Sequence, residues 1–344
     1  MDPLDRSQRV LAALVRAYIA SGEPVASSLL VGAVGLGVSS ATVRNILAEL
    51  EAEGYVQQPH TSAGRIPTDR GYRFFVDLLL RSKRTGRAAT AVEARLRRDS
   101  PDRRPDSVLP QVTHVVSQAA KSIGFAVGSA YEGAVFDRVE FVPISGSRVL
   151  VVIVARGGHV VQKVIDTGEP IASDELRHAA NYLNAEFSGL PLQRAREAVQ
   201  ERLNEERILY DELIALAMRL ATSTFADLPE SRPVYIDGTS ALLGCDTGLT
   251  IATLQALLQM IEEKQQLIRL LNEYIDAPGL TVVIGAEHLD PSLRPFSLIA
   301  SPYDDGSGTG TVGVIGPTRM RYSRAIAAVD GAAQAVARVL RDPN

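Results

Sequence analysis

Cysteine is almost absent. The single Cys245 excludes an internal disulfide framework and any zinc site built on thiolates. Long apolar runs are absent too, since no stretch approaches the roughly eighteen residues that a membrane helix requires. The leading residues MDPLDRSQRV lack the basic and apolar regions of a secretory signal, so a cytoplasmic location is expected. Histidine is scarce: His60, His114, His159, His178 and His288 show no metal-ligand spacing, and no metal or cofactor is expected. Cys245 has no histidine near it in sequence that could activate it. No nucleophile stands beside a base, which speaks against an enzyme. Gly306-Ser307-Gly308-Thr309-Gly310 invites a phosphate-loop reading, but no Gly-Lys-Ser/Thr follows and a strand comes next, which makes it a hairpin loop. Asp304 and Asp305 beside it read as solvated carboxylates.

What is present is apolar content for more than one core. Hydrophobic residues make up 46% of 344, enough for two or three domains. The net charge of −4 weighs against a nucleic-acid partner until it is divided along the chain. Residues 1–104 carry 16 basic and 11 acidic side chains, a net of +5, and the remainder carries −9. Between His60 and Arg104 the net is +7. Such a run is either a solvated surface or a phosphate-facing patch that gains free energy by releasing counterions; charge alone does not decide.

Local pattern does. Leu11, Leu14, Val15 and Tyr18 form the i, i+3, i+4, i+7 stripe of a helix, broken at Ser21-Gly22-Glu23-Pro24. Ser27 and Ser28 can cap a short second helix through Val34, and Gly35–Val38 makes a turn. Ser39 or Ser40 caps a third helix to about Glu53, with Val43, Ile46, Leu47 and Leu50 on its apolar side. Three helices around a glycine-bearing turn are the core of a helix-turn-helix. The third helix presents Ser40, Thr42, Arg44 and Asn45 in its first turns. Arg can bind guanine in a fork and Asn can pair with adenine, both in the major groove. Tyr55–Gln58 and Arg65–Pro67 then read as two strands around a tip, His60-Thr61-Ser62-Ala63-Gly64, with a helix to Leu80 behind them. That hairpin is a wing, which places His60, Thr61, Ser62, Gly64 and Arg65 beside phosphates or the minor groove.

The run SSATVRNILAELEAEGYVQQPHTSAGRIPTDRGYRFFVD resembles the signature of the bacterial HrcA family of heat-inducible transcription repressors. The chain departs from it at Ile46-Leu47, where the family often carries an acidic residue and Met. VYIDGTSALL, ASPY and GTVGVIGPTRMRYSRAI are similar to the family's C-terminal signatures.

Between these ends, Ser82–Pro110 reads as an Arg-rich linker with Pro101, Pro105 and Pro110 and a short helix near 91–98. A helix over Val112–Ile123 and strands at 138–144 and 148–154 follow, in a largely buried sheet. After a strand at Val160–Ile165, Arg194–Thr222 carries Leu209, Leu213, Leu216 and Leu220 on one face. That face suits either a solvated packing helix or a partner helix. Strands at 233–238, 280–285, 296–303 and 311–315 and helices at 250–275 and 323–340 complete the chain. The expected fold is multidomain α+β.

The resemblance implies the layout: a winged helix-turn-helix over 1–82, a basic linker over 83–110, a GAF-like domain over 111–156 and 230–344, and an inserted dimerisation domain over 157–229. It also implies a homodimer on double-stranded DNA, at the CIRCE inverted repeat upstream of chaperone operons, with the GroE chaperonin maintaining the active repressor. Two other readings remain. One is a winged-helix regulator gated by a small ligand in its GAF-like domain; the other is an enzyme with an appended DNA-binding domain.

Overall fold

The computed structural model describes residues 5–34, 39–60, 63–81, 87–129, 135–156, 159–203, 212–225, 232–239, 253, 255, 257, 279–306 and 308–341. The turn at 35–38, Cys245 and nearly all of the helix expected over 250–275 lie outside these. Within them the chain is mixed α+β with three sheets.

Helix α1 (Arg6–Ser21) starts at Asp5, whose carboxylate accepts the Gln8 amide at 2.8 Å, and ends at Gly22 with φ +77°. Helices α2 (Ser27–Val34) and α3 (Ser40–Ala52) pack against it and against each other. Strands β1 (Val56–Gln57) and β2 (Ile66–Pro67) pair antiparallel, Val56 with Pro67 and Gln57 with Ile66. Helix α4 (Asp69–Arg81) follows.

The stretch expected to be a basic linker is structured where it is described. Helix α5 (Arg87–Asp99) lies along the C-terminal helix, α10 (Tyr322–Arg341), with Ala89 and Leu96 buried. Helix α6 (Pro105–Ala120) opens on Pro105, which needs no N–H in the first turn, and runs through Pro110. Two of the three prolines that suggested a linker, Pro105 and Pro110, thus belong to a helix, and Pro101 to the turn before it. Five residues, 82–86, separate α4 from α5.

Strand β3 (Ile123–Val127) occupies the stretch just after α6, where sequence periodicity extends the helix to Ile123. It joins β7 (Val234–Asp237), β8 (Thr281–Ile284), β9 (Phe296–Asp304) and β10 (Thr309–Pro317) in a five-stranded antiparallel sheet, ordered β7-β3-β10-β9-β8. Helices α6 and α10 cover one face. The opposite face, with Phe125, Leu298 and Ile315, packs with Leu257 and Leu293.

Strands β4 (Phe136–Ser145) and β5 (Arg148–Ala155) do not enter that sheet. They pair with β6 (His159–Asp166) in a separate three-stranded one. Its inner face, with Val139, Val151 and Ile153, forms its own core with α7 (Ser173–Phe187), α8 (Leu192–Leu203) and α9 (Glu212–Phe225). Asn184 pins α7 to the sheet edge: its carbonyl accepts the Val139 amide at 2.7 Å, and its amide donates to the Val139 carbonyl at 3.1 Å. The expected helix over 194–222 is divided between α8 and α9, with Leu220 buried and Leu216 half-buried; Leu209 and the Leu213 side chain lie outside the described residues.

Candidate nucleic-acid interface

Helix α3 is amphipathic and sits by its apolar side. Val43, Ile46, Leu47 and Leu50 are buried, in one core with Leu11, Leu14 and Leu30. Of the two serines that could cap it, Ser39 does: its hydroxyl accepts the Thr42 amide at 3.2 Å and lies 3.0 Å from the Thr42 hydroxyl. Ser40 and Thr42 are consequently half-buried, and Thr42 is partly occupied by the cap. Arg44 and Asn45 are exposed, with Ala41, Ala48 and Glu49 on the same side. The two alanines escape a sequence reading that looks for hydrogen-bonding groups. Their short side chains keep the helix surface low around Arg44 and Asn45.

The hairpin is braced beside this helix. Gln58 spans it, donating from Nε2 to the Ala63 carbonyl at 3.0 Å, and the Ala63 amide closes the tip on the His60 carbonyl at 2.8 Å. His60 is exposed; Thr61 and Ser62 lie outside the described residues. Gly64 and Arg65 do not stand free at the surface as expected. Arg65 and Val25 exchange two backbone hydrogen bonds, of 3.0 and 2.9 Å, which ties the return strand to the segment before α2. The Arg65 guanidinium binds Glu51 of α3 at 2.8 Å, with only 21% of its side chain exposed. The non-local bridge to Val25 leaves both residues half-buried.

The base of the hairpin is held by α4. Thr68 donates its hydroxyl to the Gly54 carbonyl at 2.7 Å and accepts the Gly71 amide at 3.3 Å. Arg70 lies 4.4 Å above the Tyr55 ring and donates to the Glu53 carbonyl, satisfying a group left open at the end of α3.

Several of the described basic side chains in 60–104 are paired with carboxylates. Arg73 pairs with Glu287 of the five-stranded-sheet region, and that hydrogen bonding raises its already high pKa. Arg97 pairs with Glu93 at 3.0 Å, Arg98 and Arg95 with Asp99, and Arg338 of α10 reaches Glu93 at 3.0 Å. The Arg95, Arg97 and Arg98 pairs lie within α5, and Arg338–Glu93 joins α5 to α10. No group of three or more potential metal ligands occurs among the described residues. Nor is any helix among them long and apolar enough to cross a membrane.

The family model for the HrcA protein C terminal domain matches residues 106–326. The chain is also 36% identical to the heat-inducible transcription repressor HrcA of Geobacter sulfurreducens over 340 residues, 98% of each chain. Against the protein of the same name from Syntrophobacter fumaroxidans it is 34% identical over 342 residues, again 98% of each. The chain belongs to the HrcA family of heat-inducible transcription repressors. This is a family of repressors and not of enzymes. The matches to whole relatives take in α1 to β2 as well as the region the family model covers. A solved structure of a hypothetical protein superposes with a TM-score of 0.68 at 26% identity, covering 99% of each chain.

Proposed function

We propose that this repressor acts as a homodimer that reads an inverted repeat in double-stranded DNA. The observation that carries the reading is the paired exposure of Arg44 and Asn45 at the start of a capped helix whose other side is buried. Residues 5–81 form a winged helix-turn-helix, with α3 in the major groove and the β1–β2 hairpin as the wing. Arg44 and Asn45 contact bases; Ser40 and Thr42 contact phosphate or base edges from the first turn. His60, with Thr61 and Ser62 at the tip, meets the backbone, while Gly64 and Arg65 fix the hairpin's position.

The five-stranded sheet with α5, α6 and α10 is the GAF-like domain, and the inserted unit extends from 136 to 225, earlier in the chain than its sequence suggests. That unit supplies the dimer contact. Val142, Leu150, Val152, Val154, Val160 and Val164 lie on the outer face of its sheet, paired Val142–Leu150–Val164 and Val154–Val160. Val142 is 44% exposed and Val164 51%, so an aliphatic sheet face is open to water on a single chain. A two-fold pairing of that face buries it and matches the symmetry of an inverted repeat. The family resemblance favours CIRCE as the operator and GroE as the partner that maintains the active form.

Selection of bound duplexes from random DNA by the full chain tests this. Enrichment of a two-fold symmetric site with a fixed spacer is expected. Recovery of no common sequence would overturn it.

A further inference from the structure

Helix α4 has two working sides. One holds the hairpin: Gly71 lies so close to the Tyr55 carbonyl that a β-carbon would stand 2.3 Å from its oxygen. The other carries Asp69, Tyr72 and Arg73, which share a face by their i, i+3, i+4 spacing and grip the region beyond residue 280. Arg73 donates from Nε to Glu287 Oε1 at 2.6 Å, and through its terminal nitrogen to the second Glu287 oxygen and to the Val282 carbonyl. Glu287 in turn accepts the Ile284 amide at 2.9 Å, which fixes its own turn. The Asp69 carboxylate accepts the Ala286 amide at 2.8 Å. That approach requires Gly285, at φ +54°, where a β-carbon would fall 2.1 Å from the carboxylate oxygen. Tyr72 meets the Tyr322 ring at 5.8 Å, and the Tyr322 hydroxyl is tied to the Thr318 carbonyl at 2.7 Å.

A second anchor comes from a different helix. Gly22, the cap of α1, has the Arg319 guanidinium so near that a β-carbon would overlap it, 1.5 Å from Nη1. The apolar core runs through the junction unbroken, with Val10, Leu14, Tyr72 and Val76 in one cluster with Tyr322, Val329 and Val336. The unit of residues 5–81 is therefore seated on the sheet domain through α1, α4 and a shared core.

We propose that the Asp69–Tyr72–Arg73 face of α4, clamped on Gly285–Glu287 and Tyr322, determines which spacing between half-sites the repressor accepts. This rests on the reading above of a dimer bound to an inverted repeat. Two DNA-reading units on flexible tethers engage half-sites over a broad range of separations. Rigidly seated units concentrate their effective concentration on one geometry. Changing the spacer by one base pair rotates one half-site against the other by roughly 35°, so a stiff joint discriminates steeply. Asp69, Arg73 and Glu287 touch no DNA in this scheme; they are positioning residues.

The test uses the full chain and the half-sites enriched from random DNA, placed in duplexes with spacers lengthened and shortened base pair by base pair, and in a duplex with a single half-site. Glu287→Gln keeps the shape of the side chain and removes the charge that holds Arg73. The expected result is a flatter spacing profile, with preference for the best spacer reduced about fivefold or more while single half-site affinity is unchanged. Asp69→Asn, which loosens the neighbouring contact, is expected to act in the same direction and serves if Glu287→Gln does not fold. An unchanged spacing profile in folded variants overturns the proposal. So does loss of single half-site affinity with the profile retained, because that is the signature of a merely structural role. A wild-type chain that binds no half-site contradicts the DNA-reading account itself.

Discussion

Gly64 rests against Val25 so tightly that a β-carbon on it would stand 2.4 Å from the Val25 carbonyl oxygen. Gly64→Ala must push the return strand away and break the bridge that Val25 and Arg65 share. The expected loss is about 1–3 kcal/mol of stability, measured by urea unfolding of the full chain. A variant as stable as the parent would show that the hairpin is not seated on Val25.

Leu96 separates a packed α5 from a solvated linker. Its side chain is fully buried, facing α10. Leu96→Ala should cost about 2–5 kcal/mol in the same measurement. A loss below about 0.5 kcal/mol, the range of a surface substitution, would return residues 87–99 to the solvent.

The aliphatic sheet face makes a prediction about assembly. Val164→Asp places a charge on the proposed dimer contact, where a lone carboxylate is costly to desolvate. Sedimentation should shift to the monomer while circular dichroism keeps the secondary structure. An intact dimer would locate the contact elsewhere.

His288, almost fully buried beside Glu287, makes stability depend on pH. Burial is the leading cause that lowers its pKa from the ordinary value of 6.5; the Phe296 backbone and the charges of Glu287, Asp290 and Asp69 oppose it. The fold therefore favours the neutral ring, and the unfolded chain binds more protons once the pH drops below about 6.5. Stability should fall as the pH drops from there through the lowered folded value. Thermal unfolding of wild type and His288→Gln near pH 7.5 and 5.5 checks this. The variant should lose less on acidification, and an equal loss would remove His288 as a cause.

The helices and strands with strong local periodicity were legible in the sequence. The Leu11–Tyr18 and Val43–Leu50 stripes mark α1 and α3, and Gly22 and Gly54 their ends. What failed was non-local. Helix α5 has one large buried residue, Leu96, among arginines, and its packing on α10, more than 200 residues away, and on α6 explains its order. Strand β3 is a five-residue apolar run that continues the pattern of α6, so its change of period is invisible without its partners β7 and β10. Strands β4 and β5 read correctly as strands, but membership of a sheet depends on pairing with β6, which no local pattern encodes. At the candidate interface the exposure of Arg44 and Asn45 was legible because they oppose a clear apolar stripe. The partners of Arg65, Glu51 and Val25, were not legible because only the fold brings them to it.

The account stands on Arg44 and Asn45 reading bases. The most direct measurement compares wild type, Arg44→Ala and Asn45→Ala on the selected inverted repeat and on a scrambled duplex of equal length and salt. Each substitution should reduce discrimination between the two duplexes by about 1–3 kcal/mol per half-site, with little change on scrambled DNA. Undiminished discrimination in both variants would contradict the assignment of α3 as the reading helix.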